Sequence, residues 1–202
     1  MQDLAAGIAH FQRGVFPAKA ARFQHLAATH QPSTLFISCS DARVIPELIT
    51  QSEPGELFVI RTAGNLVPAY APSAEGVTAS IEYAVAVLGV SDIVVCGHSA
   101  CGAMTALADG HDLAALPAMA HWLRHADASR ARAACAEPGT DKVSALVWHN
   151  VIAQLANLAT HPCVIRALAA KTVTLRGWVY DIPTGAVDQL DPVTGRSAAL
   201  AA

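Results

Sequence analysis

The sequence predicts an α/β fold, in which a mostly parallel β-sheet is flanked by helices and preceded by an N-terminal helical arm. After Pro32, short continuous apolar runs alternate with segments whose apolar residues recur at helical spacing. Continuous apolar strands are typical of a parallel sheet that is covered on both faces. We therefore interpret the chain as one domain, with residues 1–30 as the arm, 34–182 as the α/β core and 183–202 as a C-terminal tail.

The arm is predicted from helical periodicity before the first strand. Apolar residues recur at helical spacing from Leu4 to Ala28, and Pro17 divides this stretch into two predicted helices. Because these helices precede the core, they are free to pack outside it, for example against a second subunit.

The core is predicted to alternate strands and helices. Its last apolar run alternates with polar residues, as an edge strand does, and the Ala-rich stretch 129–141 is interpreted as loop or frayed helix. The predicted strands are Thr34–Ser38, Leu57–Thr62, Asp92–Cys96 and Thr172–Tyr180. The predicted helices begin at Pro46, run over about Ala74–Leu88, begin near Ala100, and run over Pro117–Arg124 and Lys142–Thr160.

Composition excludes several classes of protein. With 14% charged residues and a net charge of -3, the chain has no basic surplus for a nucleic-acid backbone. Its longest stretch without charged residues, Val143 to Ile165, contains polar side chains and predicts an amphipathic helix rather than a membrane span. The N-terminus does not resemble a secretory signal, and the five cysteines are an odd number, which favours reduced thiols and a cytoplasmic location.

Two short segments lie just past the carboxyl ends of predicted strands, where α/β sheets place their chemistry. They are residues 39–43 (CSDAR) and 96–102 (CGHSACG). Thiolate and imidazole suit zinc, and three protein ligands with one open position are typical of a catalytic zinc site.

The spacing leaves the ligand set ambiguous. Cys39 and His98 are two candidates, and either Cys96 or Cys101 is the second thiolate, because Cys96 and His98 face the same side of an extended strand. The alternative is that these are buried thiols and a core histidine, since free cysteine is often buried.

The two segments closely resemble the signature motifs of β-class carbonic anhydrases. The strings that carry this resemblance are CSDARV at 39–44 and GHSACG at 97–102. Similar strings extend it over nearly the whole chain: 53–61, 81–85, 121–124, 150–158 and 177–181. The last three look most like the bacterial subgroup found with cyanate-degrading enzymes.

The resemblance implies one Zn²⁺ per subunit, held by Cys39, His98 and Cys101, and reversible hydration of carbon dioxide to bicarbonate and a proton by zinc-bound hydroxide. Asp41 and Arg43 are implied to act as a dyad, in which Arg43 holds Asp41 so that the carboxylate orients the hydroxide. Released from Arg43, Asp41 would bind the metal and close the site. The alternative is a surface salt bridge of little value.

The resemblance also implies an apolar carbon dioxide pocket at a dimer interface, and hence a homodimer or a higher oligomer built from dimers. His30 stands where many relatives have a glutamine, with Gln31 beside it, and is interpreted as a titratable pocket residue or an exposed helix-end histidine. The other implied pocket residues, each of which also suits ordinary packing or a helix start, are Val44, Phe58, Tyr83 and Gly102.

The sequence departs from the family pattern at two further positions. Phe36 stands where relatives inhibited by bicarbonate at a separate site have tryptophan, so we expect an open metal site without such inhibition. Thr62 replaces a common asparagine.

Other functions compete with this prediction. Carbonyl sulfide and carbon disulfide are alternative substrates, and a structural zinc site is an alternative class, against which the Asp41–Arg43 pair argues. A thiol phosphatase is excluded because Ile45 stands where its anion loop needs an arginine.

Overall fold

The structure is a computed structural model, and it describes residues 4–72, 76–135, 139–191, 194 and 196–200. The strands in this part of the chain are β1 (Thr34–Cys39), β2 (Leu57–Thr62), β3 (Asp92–His98), β4 (Thr174–Tyr180), β5 (Val187–Leu190) and β6 (Ser197–Ala199). The α-helices there are α1 (Leu4–His10), α2 (Phe16–Ala28), α3 (Pro46–Thr50), α4 (Gly76–Glu82), α5 (Gly102–Ala108), α6 (Pro117–Leu123), α7 (Asp127–Ala133), α8 (Lys142–Leu158) and α9 (Pro162–Ala169).

The six strands form one mixed sheet in the order β2-β1-β3-β4-β5-β6. The first four in this order are parallel, and β5 and β6 are antiparallel to their neighbours. Helices flank the sheet, so the predicted α/β class is confirmed. Because β1 and β3 are parallel neighbours, their carboxyl ends meet at one edge of the sheet and bring residues 39 and 98 together.

The end of the chain differs from the sequence-based prediction. The prediction that the last strand, β4, is an edge strand is wrong, because β4 lies between β3 and β5. Residues 183–202, predicted as a tail, contain β5 and β6 and so extend the sheet. Both strands are short and carry little apolar alternation, so the sequence pattern did not reveal the neighbour that covers β4.

Two helices also differ from expectation. The stretch interpreted as loop or frayed helix contains α7 up to Ala133, and its residues 136–138 lie outside the described part, as do residues 74–75 of the helix predicted from Ala74. Helix α9 was not predicted, although Pro162 in its first turn is a start signal.

The arm is one helical stretch rather than two separated helices. A wider π-type turn at Phe11–Val15 joins α1 to α2, and Pro17 lies in the first turn of α2, where proline is tolerated. Among the described residues of α1 and α2, none is buried. An ion pair between Lys19 and Glu53 ties α2 to the loop before β2.

Helix α8 packs on one face of the sheet and builds most of the core there. A Cβ at Gly97 would lie 2.8 Å from Cγ2 of Val151, and one at Gly177 would lie 2.9 Å from Cδ1 of Leu155. The two glycines in β3 and β4 therefore let the helix backbone approach the sheet closely. Among the helices described, none is long and apolar enough to cross a lipid bilayer.

Candidate metal centre

Three potential metal ligands meet at the carboxyl edge of the sheet. Cys39 is the last residue of β1, His98 is the last residue of β3, and Cys101 immediately precedes α5. Their ligand atoms all lie within 4.8 Å of one another, and all three residues are buried. The structure thus brings together the three residues that the family resemblance implied as ligands.

The loop between His98 and Cys101 reverses direction through a strained residue. Ala100 has a left-handed backbone with φ of 52°, which a side chain rarely adopts. Its carbonyl oxygen accepts a hydrogen bond of 3.1 Å from Nη2 of Arg43. This tight turn lets the imidazole and the thiol face the same point although only two residues separate them.

The imidazole of His98 presents a free nitrogen to the two thiols. Its Nδ1 donates to the carbonyl oxygen of Ser99 at 2.9 Å, which leaves Nε2 unprotonated in the neutral ring. The side chain is fully buried, and among the described residues Nε2 has no hydrogen-bond partner. A buried acceptor without a donor is costly, and a metal ion bound there would satisfy it.

Cys39 and Cys101 shift each other's pKa in opposite directions. The neighbouring Cys101 side chain lowers the pKa of the Cys39 thiol against the opposing effect of burial, and the Gly64 amide lowers it further. Cys39, together with burial, raises the pKa of Cys101. Two thiols this close, beside the imidazole of His98, are a donor set that suits a cation.

Asp41 and Arg43 form a close ion pair beside this group. Nε and Nη2 of Arg43 donate to the two carboxylate oxygens at 2.9 and 2.7 Å, and the Arg43 amide also donates to Oδ1 at 2.9 Å. These contacts hold the pKa of Asp41 well below its usual range, chiefly through the guanidinium. Oδ2 of Asp41 lies 3.9 Å from Nε2 of His98, so the pair borders the potential metal ligands.

Arg61 fixes the loop that carries this pair. Its guanidinium donates to the carbonyl oxygens of Cys39, Asp41 and Val44 at 3.1, 2.6 and 2.8 Å. The Arg61 side chain is therefore engaged with backbone of the loop after β1.

The predicted pocket residues fall into two separate places. Val44 is buried on the loop after β1, and Gly102 opens α5 beside Cys101, so both lie near the ligands. Phe58, Tyr83 and His30 form an aromatic cluster elsewhere, with ring centroids 6.0 to 6.4 Å apart.

This aromatic cluster lies at the opposite end of the sheet from the ligands. Thr62 pairs with Cys39, and Phe58 lies four residues earlier on β2. At the usual rise per residue, Phe58 is roughly 13 Å from the metal group along the strand. Within one chain the length of β2 therefore separates the cluster from the ligands.

Cys96 lies outside the ligand group. It is fully buried among Phe36 and Val94, on the face of the sheet opposite α8. Burial raises its pKa to about 12. The thiol is therefore a core residue of that face, and the ligand group of the described chain contains Cys101 instead.

Sequence reasoning missed a backbone donor to the metal group. The amide of Gly64 donates to Sγ of Cys39 at 3.4 Å, and Gly64 has a φ of 74°. Its carbonyl accepts from Asn150, and the carbonyl of Ala63 accepts from the indole of Trp122. The signal available in the sequence was a single glycine, Gly64, two residues after the predicted strand Leu57–Thr62.

The fold and the site together define an α/β protein with a buried Cys-His-Cys group that can hold a metal ion. Residues 34–187 match the protein family described as carbonic anhydrase. The structure of the β-carbonic anhydrase CcaA superposes with a TM-score of 0.94 at 40% identity, over 100% of this chain and 92% of that one. The chain belongs to the β-class carbonic anhydrase family.

Individual relatives are similar over most of their length. A carbonic anhydrase of Pseudomonas aeruginosa is 57% identical over 203 residues, covering 100% of this chain and 92% of the relative. Carbonic anhydrase 1 of Escherichia coli O157:H7 is 54% identical over 205 residues, covering 100% and 93%. One of two tetrameric β-carbonic anhydrases of Sordaria macrospora superposes with a TM-score of 0.71 at 31% identity, covering 96% and 93%. The predicted enzyme family is confirmed.

Proposed function

We propose that this chain catalyses the reversible hydration of carbon dioxide to bicarbonate and a proton. The observation that carries the proposal is the convergence of Cys39, His98 and Cys101 beside the Asp41–Arg43 pair, in a member of this family. A zinc ion held by the three residues would lower the pKa of a coordinated water toward about 7, against ~15.7 in bulk water, and so supply a nucleophile.

Asp41 orients the nucleophile in this proposal. Its carboxylate is ionised and can only accept hydrogen bonds, so it fixes which lone pair of an adjacent water faces the substrate. Arg43 keeps the carboxylate in place by donating to both of its oxygens. When that ion pair opens, Asp41 is free to approach the three ligands, and the pair then acts as a gate.

The substrate pocket requires a second copy of the chain. Phe58, Tyr83 and His30 are partly or largely exposed and lie far from the ligands of their own chain. We place them against the metal group of a partner subunit, where an apolar wall suits carbon dioxide. The exposed apolar side chains of the arm, including Leu4 at 78% and Ile8 at 59%, supply contact area for the same dimer.

The reaction is tested with a pair of cysteine variants. Cys101→Ser removes one thiolate and is expected to abolish both zinc retention and carbon dioxide hydration. Cys96→Ala is the matched control, because this buried thiol lies outside the ligand group, and it is expected to retain one zinc per subunit and activity. Zinc is measured by atomic emission on the dialysed protein, and hydration by stopped-flow.

The outcomes separate the competing functions. If the wild-type protein retains zinc but does not hydrate carbon dioxide, the zinc site is either structural or acts on another substrate. Carbonyl sulfide and carbon disulfide are therefore assayed in parallel. Zinc retention by Cys101→Ser together with its loss from Cys96→Ala would overturn the ligand assignment.

The setting of the reaction is part of the proposal. The five cysteines are free thiols, which supports a reducing compartment such as the cytoplasm. The strings at 121–124, 150–158 and 177–181 support a role alongside a cyanate-degrading enzyme, for which bicarbonate would be the shared compound. Growth of a deletion strain on cyanate with and without added bicarbonate tests this role.

A further inference from the structure

The amide donor at Cys39 belongs to a peptide unit that is held from several sides. Gly64 N–H and Ala63 C=O are the two ends of one peptide group, and they point in opposite directions. The N–H donates to Sγ of Cys39 at 3.4 Å, and the C=O accepts from Nε1 of Trp122 at 2.9 Å. Trp122, Ala63–Gly64 and Cys39 thus form one hydrogen-bonded chain.

The glycine conformation is required for this arrangement. Gly64 has a left-handed φ of 74°, and a Cβ there would lie 2.9 Å from Cε of Met104 and 3.1 Å from Cβ of Ala103. A side chain is therefore excluded by both backbone strain and space. The next carbonyl, that of Gly64, accepts from Nδ2 of Asn150 at 2.9 Å, so the peptide cannot easily rotate.

Asn150 is itself fixed by a buried polar network. Its Oδ1 accepts from Ser129 and Gln154 at 3.1 and 2.9 Å. Gln154 accepts from the amide of Val67 at 2.9 Å, so α8 holds both ends of the loop after β2. A fully satisfied buried network of this kind gives a loop a single arrangement.

We propose that Trp122 is a positioning residue for the metal centre, which aims and polarises the Gly64 amide at the Cys39 sulfur. An N–H group that donates to a thiolate withdraws electron density from the sulfur and reduces its donation to a bound metal. Because the Trp122 indole donates to the other end of the same peptide, the two hydrogen bonds strengthen each other. This inference rests on the proposed function only in taking Cys39 as a metal ligand.

The test uses cobalt as a spectroscopic substitute for zinc in the full-length protein. Trp122→Phe removes the indole donor and retains an aromatic ring. We expect its sulfur-to-cobalt charge-transfer band to move to lower energy than in the wild type, because Cys39 becomes more electron-rich. We also expect zinc affinity, measured by chelator competition, to fall by about 10-fold, because the loop beside Cys39 loses the anchor that positions it and this loss outweighs the stronger donation by the sulfur.

The chain offers a matched control. Trp178 is another tryptophan whose indole N–H is buried and has no hydrogen-bond partner in the described part of the chain, so Trp178→Phe removes no hydrogen bond there. Its cobalt spectrum and zinc affinity are expected to equal those of the wild type. Asn150→Ala removes the hydrogen bond to the Gly64 carbonyl and so loosens the same loop. It is expected to shift the band in the same direction, and it replaces Trp122→Phe in the test if that variant does not fold.

The outcomes are distinguishable from those of the proposed function. A wild-type protein without a sulfur-to-cobalt band would contradict the metal site itself. A wild-type band that stays at the same energy in folded Trp122→Phe and Asn150→Ala would overturn this inference alone. A merely structural role for Trp122 would lower the thermal midpoint of the metal-free protein without moving the band.

Discussion

At the scale of single residues, the hydrogen bonds around the metal group decide which atoms are available for chemistry. The carbonyl of Ser99 accepts a hydrogen bond from Nδ1 of His98 and leaves Nε2 directed at the thiols, and the Gly64 amide donates to the sulfur of Cys39. Arg43 likewise occupies both oxygens of Asp41. Each of these groups is thus oriented by a neighbour outside the Cys-His-Cys group.

Replacing Arg43 by alanine is expected to lower activity far more than stability. The Arg43 side chain is 51% exposed, so its loss should change the free energy of unfolding only slightly. Asp41 would lose its orientation, and misplacement of this kind costs about 100-fold in rate. Stopped-flow hydration and chemical denaturation measure the two quantities.

The control for this variant is another exposed arginine in an ion pair. Arg22 donates to Glu56 at 3.0 Å, far from the metal group, and Arg22→Ala is expected to keep the wild-type rate. Equal losses of rate and stability in Arg43→Ala would show that the Asp41–Arg43 pair is only a surface salt bridge.

The Asp41–Arg43 pair also has a consequence for pH dependence. Since Arg43 depresses the pKa of Asp41, the carboxylate remains ionised from neutral pH into the acidic range. Its stabilising contribution is present above the unfolded pKa of 3.8 and is lost only as pH falls through the lower folded value. A change in the hydration rate around neutral pH would therefore reflect the titration of a group other than Asp41.

At the scale of elements, the contact between α8 and the sheet holds the site together. The polar side of α8 binds the loop after β2, and its apolar side lies on β3 and β4. One helix thus connects the strand that ends in His98 with the loop that donates to Cys39. Close approach of this helix to the glycines of the sheet sets the distance between them.

Gly97→Ala is expected to separate α8 from β3. The added Cβ would lie 2.8 Å from Cγ2 of Val151 and 3.1 Å from Cγ1 of Val147. Overpacking of this kind costs about 1–3 kcal/mol, measured as the free energy of unfolding in urea.

Gly7→Ala is the control for overpacking. Gly7 lies in α1, and an added Cβ would meet no atom of the described residues within 4 Å, so the substitution should be neutral or stabilising by up to about 1 kcal/mol. Equal stability of Gly97→Ala and the wild type would contradict the close packing of α8.

At the scale of the whole molecule, the proposed active site is divided between two places on one chain that do not meet. The ligands lie at the carboxyl edge of the sheet, and the aromatic cluster of Phe58, Tyr83 and His30 lies near the amino ends of β1 and β2. A two-fold symmetric dimer would place each half opposite its complement twice.

Subunit mixing tests this arrangement. Cys101→Ser lacks a metal ligand and Phe58→Ala lacks a pocket wall, so each homodimer is expected to be impaired. Random exchange should restore about a quarter of the wild-type sites, because half of the dimers are mixed and one site in each is intact. Activity is measured after co-refolding of the two variants and compared with the sum of the separate proteins.

The same mixture distinguishes a site shared between two subunits from a site built within one subunit. In that case no combination of the two chains contains an intact site, and the mixture would show only the average of the two variants. Mixing of Cys101→Ser with Asp41→Ala is the control, since both changes fall in the same half and no recovery is expected in either arrangement.

The sequence by itself determined the α/β class, most strand positions and the chemical types at the metal group. Apolar runs and residues such as Cys39 and His98 just past them are local signals, so periodicity and composition reveal them. The family resemblance added Cys101, which the local spacing alone could not separate from Cys96.

Only the tertiary structure decided which of these residues meet. The left-handed Ala100 turns Cys101 toward His98, β5 covers the predicted edge strand, and β2 carries Phe58 away from the ligands of its own chain. The contact of Trp122 with Ala63 joins segments 59 residues apart. Such contacts depend on strand order, turn conformation and packing between distant segments, and no local pattern in the chain records them.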